Sequence, residues 1–591
     1  LAKISPVWPV LIASRIVLSS AATKTNTDMR IRQYHFVISI LFSLSLAYQL
    51  PAQTLPDSTI RKIEGLFFLW NSAKTPGCAI GIVRGDSLIY AKGYGMSNLE
   101  YDIPNTPATI FHMASISKQF TAYSIVLLAR QGKLSLEDDV RKYLTWFPDL
   151  KQKITIRNLL NHTSGIRDQW QLLAISGTRL DDVITQDHII KILSRQQALN
   201  FTPGDEYNYS NSGFTMLAEI VKVVSGQSLR KFTDSAIFKP LGMDHTHFHD
   251  DYTEIEKNRA YSYERAQDFH FINSILSYSN DGATSLFTNV GDMSKWIMNF
   301  YDHKVGDQKD IDQLTKKGRL NNGKDLDYAL GIVVDKYKGW KRYSHNGADA
   351  GFRTSISVFP DLKMGFIVFS NLAEFGPSER ADKMADIFLK DTSTKTTMSQ
   401  AVIIDSNKAF IEDTQAIKKI LGDYISDDGT QFTFRLRNNK LYWEPFKQSY
   451  LMIKAVKDTF VVIKYPEVKF VFSMAQPKDT LAKEYWPNSH RVLSKYIPDT
   501  LQTDKQFEPY PGFYYCPELD CKYRILLKDH HLWLTNSKYN DTRLTLIGEN
   551  HLIDDFWWMD HLVVFRDAKN DVQGFEVNSG RIQHLKFYKV E

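Results

Sequence analysis

From about residue 400 onward the chain carries one short pattern twice. Gly422-Asp-Tyr424 followed by Leu436-Arg-Asn-Asn-Lys-Leu441 returns as Gly512-Phe-Tyr514 followed by Leu527-Lys-Asp-His-His-Leu532, a period of about ninety residues. Each copy is made of short aromatic-rich runs between polar turns, which reads as antiparallel strands, and its length suits a small β-barrel or sandwich. At 591 residues, with 43% hydrophobic and 24% charged residues, the chain is too long for one core and apolar enough for several. The helix-rich part of the fold therefore has to lie ahead of the repeats.

The first methionine is Met29. Arg30, Arg32 and the apolar run Phe36 to Ala47 follow it, with Ser45, Ala47 and Ala52 as small residues for cleavage. This reads as a secretory signal peptide over 29–52, too short and too soon followed by Pro51 and Pro56 for a membrane span. Residues 1–28 are then expected to be upstream of a misplaced start, the competing reading being an amphipathic anchor over Val7 to Leu18. No cysteine follows the run, which argues against a lipoprotein anchor. The expected destination is the periplasm or the exterior, with no stable membrane span once the signal is removed. A net charge of +5, without long basic runs, leaves no nucleic-acid footprint. In such a compartment Cys516 and Cys521 could close a hairpin as a disulfide, whereas Cys78, inside an apolar run, reads as core.

Between the signal and the repeats the elements are mixed. Cys78 to Val83 and Ser87 to Tyr90 form a predicted hairpin around Gly85-Asp86, and Lys118 to Arg130 a helix stopped by Gly132. Helical segments such as Gly213 to Val224 dominate about 135–300, and strands are expected at Leu330 to Val334, Phe352 to Phe359 and Met364 to Ser370, before a helix from Glu379 to Leu389. Strands at both ends around a helical insert indicate one α+β domain, its antiparallel sheet flanked by helices. The expected division is 53–395 for this domain, 396–500 for the first β-domain and 501–591 for the second.

Ser115-Ile-Ser-Lys118 sets a hydroxyl and an amine one helical turn apart. A serine hydroxyl becomes a nucleophile when a neighbouring base takes its proton, and a desolvated neutral lysine can do so. The spacing alone is weak, since Ser228-Leu-Arg-Lys231 repeats it; Ser228, after Gly226-Gln227, reads instead as a helix N-cap. Tyr209-Ser-Asn211 adds a phenol and an amide on a loop before a helix, and His345-Asn-Gly347 precedes the strand-like run from Phe352. A glycine there lets a substrate approach a strand edge, where a backbone N–H could hold an oxyanion.

In this order the three motifs resemble those of the penicillin-recognising serine hydrolases: class C β-lactamases, D,D-carboxypeptidases, D-aminopeptidases and related esterases. Ile156-Arg-Asn-Leu-Leu-Asn-His-Thr-Ser-Gly165, Phe238-Lys-Pro-Leu-Gly-Met243 and Ser285-Leu-Phe-Thr-Asn-Val-Gly-Asp-Met-Ser-Lys-Trp296 are similar to supporting segments of that family, and the resemblance covers about 55–395. It implies an α+β, β-lactamase-like catalytic domain, here followed by two small antiparallel β-domains, as D-aminopeptidases carry. It also implies an acyl-enzyme mechanism without metal or cofactor. Ser115 is then the nucleophile, Lys118 and Tyr209 share the base and acid work in an order left open, and Asn211 orients Lys118 or the substrate. His345 stands where many members have lysine, Gly347 opens the strand edge, and the N–H groups of Ser115 and Ala348 form the oxyanion hole.

Histidine in the third motif puts strong β-lactam turnover in doubt and favours the D-aminopeptidase and esterase branches, because a neutral imidazole holds a carboxylate less well than an ammonium. The expected function is an exported serine hydrolase acting on a small amide or ester, foremost a D-amino-acid peptide or cell-wall fragment. The alternatives are a carboxylic-ester hydrolase and a catalytically idle sensor that binds peptidoglycan or sugars. The expected partner is a small-molecule or peptide substrate, and the oligomeric state is left open. Two further groups are read as structural. Trp443, Trp533, Trp557 and Trp558 could stack on sugars but are taken as core. His245, His247 and His249, beside Asp250 and Asp251, could ligate zinc but are taken as a solvated strand, since neighbours on one strand rarely close a tetrahedral site.

Overall fold

The alternation in Cys78-Ala-Ile-Gly-Ile-Val83 divides the N-terminal domain into two apolar layers. The computed structural model describes residues 55–392, 417–496 and 504–591, less 267, 269, 427–429, 445–448, 457, 466–467, 474–480, 487–488, 548–549 and 555. The expected upstream segment, the signal peptide and the junctions near 396 and 501 lie outside the described residues. In chain order the principal elements are α1 (Asp57–Gly65), β1 (Cys78–Arg84), β2 (Ser87–Tyr94), β3 (Phe111–His112), α2 (Ser117–Arg130), α3 (Gln169–Ile175) and α4 (Asn211–Ser225). They continue with β4 (His247–Phe248), β5 (Leu286–Thr288), α5 (Val290–Asp302), β6 (Val333–Tyr337), β7 (Trp340–Asp349), β8 (Phe352–Phe359), β9 (Met364–Ser370) and α6 (Pro377–Phe388).

The main sheet runs β6-β7-β8-β9-β1-β2 and is antiparallel throughout. Both ends of the domain build it, as expected: β1 lies against β9 with Cys78 opposite Ser370 and Arg84 opposite Met364. Period-two alternation sends Cys78, Ile80 and Ile82 to one face, where they pack with Ile63 of α1 and Met384 of α6. Ala79 and Val83 face the other layer with Trp296 and Ile297 of α5. The strand expected at Leu330 to Val334 begins only at Val333, as β6, because Leu330 and Ile332 are core residues ahead of it, and an apolar run reads alike in either role. His345-Asn-Gly347 precedes the strand β8 at Phe352, as read, and is itself part of the strand β7.

Helix α2 passes through the core, buried from Ser117 to Leu128. A helix buried all round must partner its polar groups, and Gln119 Oε1 accepts from Trp296 Nε1 at 2.9 Å. The charged residue among those buried is Lys118. Gly132, at φ +70°, follows the helix end where the sequence placed the stop.

Each repeat forms a closed antiparallel barrel, one from Gly422–Ser426 to Ser489–Tyr496 and one from Gly512–Cys516 to Ile582–Val590. The repeated Gly-x-Tyr is a structural device. Tyr424 and Tyr514 are buried and each donates its hydroxyl to a carbonyl four residues back, Ile420 O at 3.1 Å and Tyr510 O at 2.6 Å. The glycines before them hold φ +136° and +149°, a region L side chains avoid. Of the tryptophans, Trp443 is core, Trp533 and Trp558 are half-buried, and Trp557 is exposed, contrary to its expected core role.

Cys516 and Cys521 face each other across their hairpin as expected, but both are free thiols, which corrects the disulfide reading. Both are buried, and Cys521 Sγ instead reaches Ile175 O at 3.6 Å, at the contact between the second barrel and α3. Cys78 is buried in the core, as read.

That contact is extensive. Arg167, fully buried, donates to Glu518 Oε2 at 2.7 Å, to the carbonyls of Gln583 and His584 at 3.0 and 2.9 Å, and to Gln196 Oε1 at 3.1 Å. Tyr523 and Tyr539 donate to Ile175 O and Thr178 O at 2.9 and 2.7 Å. One apolar cluster accordingly runs from the N-terminal domain into the second barrel, while the first barrel has a core of its own. Among the described residues no helix is long and apolar enough to cross a membrane.

Candidate active site

Ser115 lies in a 3-10 turn, Ala114–Ile116, that leads directly into α2. The preceding Ala114 holds φ +49°, unusual for a residue with a Cβ, and this sharp turn presents Ser115 at the head of the helix. One helical turn on, Lys118 Nζ donates to Ser115 Oγ at 3.0 Å, to Asn211 Oδ1 at 2.8 Å and to Ala283 O at 2.8 Å. The lysine is fully buried and, among the described residues, no carboxylate touches it. Burial lowers its pKa to about 7 against the pull of Asp168, with Arg581 adding to the drop.

Tyr209-Ser-Asn211 stands at the start of α4, with Asn211 the first helical residue. The Tyr209 hydroxyl is buried without a hydrogen-bond partner among the described residues. Burial pushes its pKa up, and Ser115 beside it is the chief opposing influence. Its ring lies 4.9 Å from Lys118 Nζ on one side and 4.8 Å from the Arg581 guanidinium on another. His162, from the segment ending at Gly165, packs its ring 4.0 Å from that of Tyr209 and accepts from Ser210 N–H through Nδ1 at 3.2 Å.

The third motif enters from β7. His345 Nδ1–H donates to Asn346 O at 2.7 Å, so its Nε2 accepts from the Tyr328 hydroxyl at 2.9 Å. Burial, with the Lys118 charge adding, pushes His345 down to about 3, so the imidazole is neutral. Gly347 is required sterically: a Cβ there would strike Thr354 Oγ1 of β8 and the carbonyl oxygen of Met113, the residue just ahead of the Ser115 turn. Ala348 continues β7, opposite Arg353 of β8.

All seven residues singled out in the sequence, Ser115, Lys118, Tyr209, Asn211, His345, Gly347 and Ala348, meet at one place; Lys118 lies just behind a cavity of about 870 Å³ that the other six line. Several of its parts were not predicted. Asp168 accepts from Asn211 at two atoms and from Trp170 N–H, capping α3; its only local signal is that of an N-cap. Tyr207, Tyr328 and Asp349 also line the cavity, and burial raises Asp349 to about 6, with Thr284 opposing the shift as a donor at 2.7 Å. Trp557, Gly580 and Arg581 come from the second barrel. The Gly580-Arg581 turn is held by Gln171 and Asn200: Arg581 N–H donates to Gln171 Oε1 at 2.6 Å and Arg581 O accepts from Asn200 Nδ2 at 2.9 Å. Nothing in the sequence around Arg581 signals that position.

The remaining motif residues stand apart. Ser228 caps a helix, accepting from Lys231 N–H at 3.3 Å, as read. The histidine reading needs correcting: β4 is only two residues long, His249 is buried, and His247 and His249 converge on Glu254 while His245 stays outside the group.

A family model described as Beta-lactamase matches residues 58–389, more than half of the chain. Penicillin-binding protein 4* of Bacillus subtilis (strain 168) is 28% identical over 409 residues, covering 66% of this chain and 89% of that protein. A D-aminopeptidase of Brucella anthropi is 27% identical over 330 residues, covering 56% of this chain and 62% of that protein. Among solved structures, an octameric penicillin-binding protein homologue from Pyrococcus abyssi shares the fold with a TM-score of 0.51 at 22% identity, covering 74% of this chain and 99% of its own. With Ser115, Lys118 and Tyr209 gathered in the domain that the family model spans, the chain belongs to the β-lactamase family and is a penicillin-recognising type of serine hydrolase.

Proposed function

We propose that the protein is an exported hydrolase that cleaves a small amide or ester through an acyl-enzyme on Ser115, with D-amino-acid peptides or cell-wall fragments as its substrate class. The observation that carries this reading is the Lys118 ammonium site: a buried amine with a pKa of about 7, 3.0 Å from Ser115 Oγ. Such an amine is neutral in a large fraction of molecules at neutral pH and accepts a proton there. Lys118 therefore serves as the first base, and Tyr209, whose phenol burial keeps protonated, as a donor.

Ser115 Oγ attacks the substrate carbonyl carbon and its proton passes to Lys118 Nζ. The N–H groups of Ser115 and Ala348 hold the oxyanion. The C–N or C–O bond then breaks as the leaving group takes a proton through Tyr209, and water releases the acyl group from Ser115 by the reverse path. Asn211, fixed by Asp168, keeps Lys118 aimed at the serine. Neutral His345 and Gly347 line the substrate edge, and the neutral imidazole supports a preference for substrates without the carboxylate of a β-lactam. The resemblance to a D-aminopeptidase supports the D-peptide class, and the apolar run Phe36 to Ala47 supports export.

The test is intact-protein mass spectrometry after incubation with a mixture of D-peptides, β-lactams and short esters. An adduct of D-peptide acyl mass that disappears in Ser115→Ala supports the reading. Labelling that persists in Ser115→Ala overturns the nucleophile, and an adduct from esters alone overturns the substrate class. Equal muropeptide binding with and without Ser115, and no product from any amide or ester, would favour a sensor instead.

A further inference from the structure

On the side of the domain formed by β4, the strand and the loop after it bring His247, His249 and Glu254 together. One nitrogen from each imidazole and a carboxylate oxygen of Glu254 all lie within 4.8 Å of one another. His249 Nδ1 is 3.7 Å from Glu254 Oε2, and His247 Nε2 is 3.7 Å from Glu256 Oε2. The backbone makes this convergence. His247 lies opposite Phe287 of β5, His249 N–H donates to Ser285 O at 2.8 Å, and a turn with Glu254 N–H on Asp251 O at 3.1 Å folds the acidic residues back over the strand.

The imidazoles are left unsatisfied. His249 is 2% exposed, and among the described residues neither of its ring nitrogens has a hydrogen-bond partner; nor has the buried Nε2 of His247. Buried polar atoms are ordinarily paired, so three idle imidazole nitrogens in one cluster call for an explanation. As a hydrogen-bond network the cluster is incomplete. As a set of donors, two imidazoles and one or two carboxylates suit a borderline divalent transition metal such as Zn²⁺.

We propose that His247, His249 and Glu254 form a structural zinc-type metal site, with Glu256 or water completing the coordination. Donor atoms about a tetrahedral zinc ion stand roughly 3.3 Å apart, so closing the site needs side-chain movements of about an ångström. His247, Glu254 and Glu256 are 16%, 35% and 21% exposed, which gives an ion a way in from solvent. Arg230 grips Glu254 through two bonds, at 2.6 and 2.8 Å, and orients its carboxylate as a supporting partner does. Its charge and that of Arg259, which lies 4.9 Å from the Phe287 ring, act against a cation, while Asp250 and Glu256 act for it. The site has a structural connection to the nucleophile. Phe287 lies between His249 and His112, at ring distances of 4.7 and 5.4 Å, and His112 Nδ1 accepts from Ala114 N–H at 3.2 Å. A bound ion would brace the small sheet β3-β5-β4 that carries the Ser115 turn.

The test uses the untagged full chain, stripped with EDTA and titrated with Zn²⁺ and Co²⁺. The expected result is saturable uptake of one equivalent, a rise in Tm of several degrees with Zn²⁺, and the visible absorption of tetrahedral Co²⁺. His249→Ala and, as a variant at a partly exposed position, Glu254→Gln should each abolish the Co²⁺ band and the Zn²⁺-dependent rise in Tm. Absence of saturable uptake by the unsubstituted protein, or an unchanged Co²⁺ band in a folded Glu254→Gln variant, would overturn the site.

Discussion

Asp168 Oδ2 accepts two hydrogen bonds from Asn211, one from its backbone N–H and one from Nδ2, both at 2.8 Å. The pair fixes which end of the Asn211 amide faces Lys118, so that Oδ1 is left to accept from the ammonium at 2.8 Å. Asp168 does not touch Lys118 directly. It acts as a positioning residue and as the negative charge that does most to raise the lysine against its burial.

With Lys118 as the free base of the proposed mechanism, kcat/KM for an ester or amide should rise with pH through about 7 and fall as the amine gains its proton below that value. Initial rates across that range check this. A profile without the rising limb would separate Lys118 from the proton transfer.

Asp168→Asn and Arg581→Ala should move that limb in opposite directions. Removing the carboxylate charge lowers the Lys118 pKa and shifts the limb to lower pH; removing the guanidinium raises it and shifts the limb up. Asp168→Ala also frees the Asn211 amide and should cost about 1.5–3 kcal/mol of transition-state stabilisation, about 10–160-fold in kcat/KM. A merely structural role for either residue would lower activity without moving the limb.

Arg167→Ala should destabilise the protein by about 3–5 kcal/mol, because it leaves Glu518 buried without its partner. Since the same guanidinium holds two carbonyls beside the Gly580-Arg581 turn, limited proteolysis should cut within the second barrel sooner than in the unsubstituted chain. An unchanged cleavage pattern and Tm would show that the barrel is held by its apolar contacts alone.

Cys78, Cys516 and Cys521 should all alkylate on denaturation without a reductant, giving three adducts by mass, and none should react in the native state, where burial raises every one of the thiols. A product with one adduct would mean that Cys516 and Cys521 are joined.

What the chain determined locally is what its sequence makes legible. Ser115 and Lys118 are one helical turn apart in any helix that begins there, and period two in Cys78 to Val83 assigns two faces in any sheet. Gly422 and Gly512 mark a backbone conformation that glycine favours wherever it occurs. The same local rules placed Tyr209 and Asn211 at a helix start, and the repeat announced two β-modules.

The remainder depended on residues far apart in sequence. Asp168 reads as an ordinary N-cap, and only the packing of α3 beside α4 turns its second oxygen toward Asn211. Arg581 is an exposed-looking turn residue until the second barrel docks on Arg167 and carries it over Tyr209. Local pattern read His249 as solvated and Cys521 as a disulfide partner, yet one is closed in by the loop reaching Glu254 and the other by α3. Burial is a property of what packs against a residue, and for these residues the packing partner comes from a distant part of the chain or from a loop whose path local pattern does not set.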